Sequence, residues 1–327
     1  MRRTGKFLGR VIIVIALLGA ALWVFGPREP VDLEISFDSN SLGDDLDAYL
    51  QDQEARFDDI TPGAEKRIDW AGEAGEKTPL AIVYLHGWSA AAPEISPVPE
   101  NAAKAVGANA FFTRLSGHGR SGAALAEATA GDWLEDVAEA MEIGRRIGER
   151  VVLIGTSTGG TLAAEIAADP ALSENLAGIA FVSPNFAVNS PIAFVMTMPF
   201  ARQLVPMLAG ETRSWEAQNE LHEKFWTTSY PSVAVLPMGA LVKHANTLDF
   251  AGISTPALFV FTMNDTVVDH RATVEVIEQW GGSTLVVNPS IPPEEGSEDS
   301  HVLAGDIVSP QRTTSVSKTL IDWISGL

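Results

Sequence analysis

The run Val151-Val152-Leu153-Ile154, the turn Gly155-Thr156-Ser157-Thr158-Gly159 and the stretch Gly160 to Ala168 constrain this chain more than any other part of it. Apolar, turn-forming and helix-forming residues follow one another there without a spacer, which predicts a strand, a tight turn and a helix in direct succession. A serine at the centre of such a turn is forced into strained backbone geometry, and the flanking glycines leave room for strand and helix to approach. The hydroxyl of Ser157 would stand at the end of a sheet, with the first free amides of the helix aimed at whatever binds there. A serine so placed suits nucleophilic chemistry.

Such a serine needs a base, and the chain has six histidines. His86 follows the apolar run Leu80 to Leu85, and His118 lies in the glycine-rich turn Ser116 to Gly122 after Ala110 to Leu115; both precede the serine and read as turn residues with structural hydrogen bonds. His222 and His244 fall in a middle segment of different character, and His270 sits beside Asp269 at the start of an expected helix. His301 remains as the favoured base. It follows a Pro/Glu/Ser-rich loop, Asn288 to Ser300, and precedes the last helix-like segment.

The third member should be a carboxylate on a loop after a strand, between serine and histidine. Pro256 to Thr262 reads as that strand and Met263 to Asp269 as its loop. Asp265 is the natural group to hold the imidazole in one tautomer and to stabilise the imidazolium. Asp269 is the runner-up and also suits an N-terminal helix cap. Glu298 and Asp299 are other carboxylates close to His301 in the chain.

The order Ser157, Asp265, His301 is that of the α/β-hydrolases. With Leu85-His86-Gly87-Trp88, Leu115-Ser116-Gly117-His118-Gly119-Arg120-Ser121 and the serine turn, the chain resembles their serine aminopeptidase, monoacylglycerol lipase and carboxylesterase branch over residues 78–327. The resemblance implies an α/β-hydrolase fold, a mostly parallel sheet with helices on both faces and an inserted lid. It also implies an oxyanion hole made by the backbone amides of Trp88 and Thr158. Two features depart from the family pattern: Thr156 replaces a larger, often aromatic or histidine residue, and the loop before His301 is long.

A chain of 327 residues can bury one large core. Short apolar strands alternate with helix-like segments, which argues for a largely parallel sheet covered on both faces. Strands are expected at Leu80 to Leu85, Ala110 to Leu115, Val151 to Ile154, Gly178 to Ser183, Ala257 to Thr262 and Thr284 to Asn288. Helices are expected at Asp132 to Gly148, Thr158 to Ala168, Arg271 to Trp280 and Ser315 to Ile324. The organisation expected is an anchor or signal segment at 1–30, an acidic extension packing on the core at 31–77, core at 78–183, a lid at 184–255, and core again at 256–327. In the extension, Leu42, Leu46, Tyr49 and Leu50 suggest one helix.

The segment between Ser183 and Ala257 is far longer than a strand-to-helix connection requires. It holds four of the seven methionines, with Phe194, Phe200, Trp215, Phe225, Trp226 and Tyr230, and an apolar, adaptable lid suits an acyl chain. Glu211, Glu216, Glu220 and Glu223 in it read as a solvated face, or as binders of a substrate ammonium.

At the amino end, Arg2, Arg3, Lys6 and Arg10 precede the uncharged run Val11 to Gly26. As a helix that run would be about 24 Å long, short of the roughly 30 Å hydrocarbon core, so Phe7 and Leu8 would have to contribute while Arg10 snorkels. The expectation is a single-pass membrane anchor with the domain periplasmic or extracellular. The alternative is a signal cut near Gly19-Ala20-Ala21, leaving a soluble periplasmic protein.

Setting those four basic residues aside leaves 18 of the 22 Lys and Arg against 42 Asp and Glu, a balance of −24 that repels nucleic acid. Without cysteine there are no disulfides, and neither a metal nor a cofactor is expected. Together the features lead to a serine hydrolase of carboxylic esters with an apolar acyl group, working through a Ser157-His301-Asp265 triad. A peptidase or amidase of the same fold is the alternative, and an inactive surface binding module the alternative of another class.

Overall fold

The computed structural model describes residues 2–288 and 300–327, and of residues 2–9 and 11 the backbone only. The expected loop before His301, with Glu298 and Asp299, lies almost wholly outside the described residues. In chain order the strands are β1 (Arg67–Asp69), β2 (Thr78–Leu85), β3 (Asn109–Phe112), β4 (Gly148–Thr156), β5 (Leu176–Val182), β6 (Thr212–Ser214), β7 (Ser229–Pro231), β8 (Ala257–Val260) and β9 (Thr284–Val287). The helices are α1 (Arg2–Phe25), α2 (Leu46–Glu54), α3 (Val98–Val106), α4 (Gly122–Glu127), α5 (Ala130–Ile147), α6 (Thr158–Ala168), α7 (Ala201–Ala209), α8 (Glu220–Phe225), α9 (Val235–Ala245), α10 (His270–Gln279) and α11 (Pro310–Ile324).

Among the described residues, seven strands form one sheet in the order β1-β3-β2-β4-β5-β8-β9, parallel throughout except for the antiparallel β1 at its edge. The central strands are apolar on both faces because both faces are covered. Alternate side chains of β2 point opposite ways. Ala81, Val83 and Leu85 enter the layer under α5, α6 and α9, whereas Ile82 and Tyr84 enter the layer under α3 and α11. Val151 and Leu153 of β4, against Val152 and Ile154, divide the same way.

From β2 the chain steps outward to β3, and from β4 it steps in the other direction to β5, β8 and β9. The direction of winding reverses between β2 and β4. A crevice opens at the carboxyl ends of strands at such a point.

All six expected strands are present, with shifted ends. The strand expected to reach Leu115 stops at Phe112, because Arg114 turns away to a buried pair with Glu54 of α2, Nε to Oε2 at 2.8 Å and Nη2 to Oε1 at 2.7 Å. That pair and the burial of Leu42, Leu46 and Leu50 fasten residues 39–54 onto the sheet's helical layer. The single helix expected there is a 3-10 turn at Ser39–Leu42 followed by α2, whose start Asp45 caps by accepting from Ala48 N.

Between β5 and β8 the chain forms a 3-10 turn (Ala193–Thr197), α7, the β6-β7 ribbon, α8 and α9. The amino-terminal helix α1 is present, but among the described residues no helix is long and apolar enough to cross a membrane. The expected membrane-spanning helix is therefore not shown among the described residues.

Candidate active site

Ser157 occupies the turn between β4 and α6 with φ 51° and ψ −115°. A non-glycine residue there costs on the order of 1–3 kcal/mol and persists only where its surroundings fix it. Here the main chain does so: Ser157 N donates to Val182 O at 3.0 Å, and Ser157 O accepts from Gly160 N at 2.9 Å and Asn185 N at 3.0 Å. The second glycine is required by close approach, because a Cβ on Gly159 would lie 2.0 Å from Leu85 O. Helix α6 thereby starts directly against the end of β2.

Asp265 follows β8 and His301 precedes α11, and the structure brings them together: His301 Nδ1 lies 2.7 Å from Asp265 Oδ2. The other carboxylate oxygen, Oδ1, accepts from Val267 N at 2.8 Å and Val268 N at 2.9 Å. With one oxygen held by amides, the other is aimed at the imidazole. An ionised carboxylate only accepts, so Nδ1 carries a proton and Nε2 is left as the basic nitrogen. Asp269 does not approach His301 in this way; it caps α10 through Arg271 N and pairs with the Arg271 guanidinium at 2.6 Å.

The loop after β2 completes the site. Buried His86 is pushed down to about 4 by loss of solvation, so it is neutral. Its Nε2 accepts from Leu115 N at 3.1 Å, which leaves the proton on Nδ1 to donate to Gly87 O at 2.9 Å. Gly87 O and Trp88 N belong to one peptide unit, so His86 orients the plane that carries the Trp88 amide. His86 is a turn residue as expected, and it also sets the direction of this amide. Beneath the loop lies Glu94, which no motif in the sequence marks. Its buried Oε2 accepts from Gly87 N at 2.8 Å and from the Tyr84 hydroxyl at 3.1 Å.

Ser157, His301, Trp88, Thr158 and Glu94 all line one cavity of about 490 Å³. Its far wall comes from the insertion and includes Val195, Met196, Val205, Leu208, Val235 and Met238. Trp215, Trp226 and Tyr230 form an aromatic side, with His222 packed between the two indoles at ring separations of 4.9 and 4.5 Å. Of the other histidines, His118 turns Nδ1 to Ser116 O and His244 pairs with Glu165 at 2.8 Å. Of the acidic residues that could meet an ammonium, Glu216 lines the cavity. Among the described residues no group of three or more His, Asp or Glu is arranged to hold a metal ion.

A model of the alpha/beta hydrolase family matches residues 82–295. No curated protein sequence matches the chain. Among solved structures it is similar to a chain from work on LipS and LipT, two metagenome-derived lipolytic enzymes, at 19% identity and TM-score 0.64, covering 82% of this chain and 100% of that one. It is also similar to the monoacylglycerol lipase of Paleococcus ferrophilus, at 13% identity and TM-score 0.57 over 80% of this chain and 98% of that one. A soluble variant of the monoglyceride lipase of Saccharomyces cerevisiae, solved with a substrate analog, gives 11% and 0.59 over 80% and 91%. At such identities the likeness is one of fold.

Proposed function

Because the chain belongs to the alpha/beta hydrolase family, we propose that it is a serine hydrolase that cleaves carboxylic esters through an acyl-enzyme. The observation that carries this reading is the 2.7 Å contact of Asp265 with His301, which lines the same cavity as Ser157. In this reading His301 Nε2 takes the proton of Ser157 as the hydroxyl attacks the ester carbonyl. Asp265 holds the ring and stabilises the imidazolium. The carbonyl oxygen, now an oxyanion, rests on the amides of Trp88 and Thr158, and losing one such donor costs about 3 kcal/mol of transition-state stabilisation. The imidazolium then protonates the departing alcohol, and a water activated by His301 releases the acid.

The insertion acts as the lid of this reading, its apolar wall receiving the acyl group and its Met196 and Met238 adapting to chain shape. A series of p-nitrophenyl esters from acetate to decanoate, beside aminoacyl p-nitroanilides, tests it. Esters should be turned over with a preference for the longer chains. Turnover confined to the anilides would move the assignment to a peptidase.

We further propose that α1 tethers the domain to a lipid bilayer, with the domain on the periplasmic or extracellular side. Supporting this, Ile12, Ile13, Ile15, Leu17 and Leu18 are exposed along the helix. The helix end is tied to the insertion by Phe200 N donating to Pro27 O at 2.7 Å and by Arg202 pairing with Glu29 at 2.5 Å. Full-length protein should remain with membranes after carbonate extraction, and protease added to spheroplasts should reach the domain. Complete release, or mature protein starting near Leu22, would contradict the tether.

A further inference from the structure

Thr156, the small residue before the nucleophile, and Glu94, which takes no part in the proton transfers, are connected in the structure. Thr156 ends β4, Tyr84 is the penultimate residue of β2, and Glu94 lies in the 3-10 turn Ala92–Ile95. All three are buried. The Tyr84 hydroxyl lies 3.1 Å from Thr156 Oγ1 and 3.1 Å from Glu94 Oε2, and that same carboxylate oxygen accepts from Gly87 N at 2.8 Å. Tyrosine has one proton and gives it to the carboxylate, so the Thr156 hydroxyl donates to the tyrosine oxygen. A bonded path therefore runs from the residue before Ser157 to the residue before Trp88. Packing is tight along it: a Cβ built on Gly87 would lie 2.7 Å from Glu94 Oε1 and 3.2 Å from Ser157 Cβ.

We propose that the path Thr156, Tyr84, Glu94, Gly87 is a positioning device that fixes the spacing between the amides of Trp88 and Thr158. The inference rests on the hydrolase reading above. The two amides belong to different segments, the loop after β2 and the start of α6, and donors fixed in advance need no reorganisation as the oxyanion forms. His86 orients the first amide locally, and the path through Glu94 ties that loop to the serine turn by side chains. Burial pushes the Glu94 carboxyl up from its ordinary range, while the Gly87 amide and nearby His301 pull it the other way. What the path uses is acceptor geometry, which glutamine also supplies.

The test measures kcat, KM and the inhibition constant of an alkyl trifluoromethyl ketone, whose hemiketal oxygen sits where the oxyanion forms. Glu94→Leu and Tyr84→Phe should lower kcat by roughly 10- to 100-fold, the scale of a small misplacement of catalytic groups, with KM little changed. Ketone affinity should fall by the same factor as kcat/KM, and Glu94→Gln should keep most of the activity. Thr156→Val added to Tyr84→Phe should cost little more, since the link is already broken. Unchanged ketone affinity in Tyr84→Phe, or Glu94→Gln as impaired as Glu94→Leu, would overturn the proposal. Tyr84→Phe deletes one hydroxyl and keeps the measurement possible if Glu94→Leu fails to fold. Loss of the hydrolase reading would look different, because wild-type protein would then take up no fluorophosphonate at Ser157.

Discussion

At the switch point between β2 and β4, Ser157, Asp265 and His301 are each less than one-tenth exposed, and main-chain amides or each other's polar atoms fix them. Across the cavity the insertion turns Val195, Val205 and Met238 inward, while Phe194 and Leu208 remain 63% and 65% exposed. One side is held by directional hydrogen bonds to the backbone of a doubly covered sheet. The other meets the cavity with apolar side chains, whose contacts have no preferred direction, and apolar surface is left over. Chemistry that needs groups placed within a fraction of an ångström belongs on the first side, and recognition of variable chains on the second.

That division is most readily broken at the carboxylate and the base. His301→Ala should abolish acylation, and Asp265→Asn should lower kcat by on the order of 10⁴-fold by releasing the imidazole tautomer. Asp269→Asn should have little effect on kcat, its role being to cap α10 and pair with Arg271. Stopped-flow measurement of p-nitrophenol release separates these outcomes. A larger loss in Asp269→Asn than in Asp265→Asn, with both proteins folded, would move the orienting role.

A smaller effect sharpens the other side. Val205→Phe narrows the apolar wall, and the ratio of kcat/KM for decanoate over acetate should fall by about 10- to 200-fold, the worth of one or a few methylenes in a pocket. An unchanged ratio would mean that acyl chains do not lie along α7.

The same contrast explains what could be read from the chain. Strands of four or more apolar residues, such as Leu80 to Leu85, carry their own signal, and so does a serine between glycines after one of them. Edge strand β1 has three residues, two of them charged, and exists through its pairing with β3. Helix α3 is marked by Pro97 and Pro99, which read locally as breakers although proline is well suited to a helix's first turn. Glu94 is one acidic residue in an alanine-rich turn, and only the approach of β2 and β4 gives it partners. The path from Thr156 to Gly87 joins residues 69 positions apart in the chain, which no periodicity reports.

The central claim is that Ser157 is a nucleophile activated by its surroundings, and covalent labelling reads this most directly. Full-length protein treated with a fluorophosphonate and mapped by mass spectrometry should carry a single adduct, on Ser157. Ser157→Ala should carry none, and its turnover should fall by on the order of 10⁶-fold. A folded wild-type protein that remains unlabelled would favour an inactive binding module, and an adduct on any other serine that persists in Ser157→Ala would contradict the account.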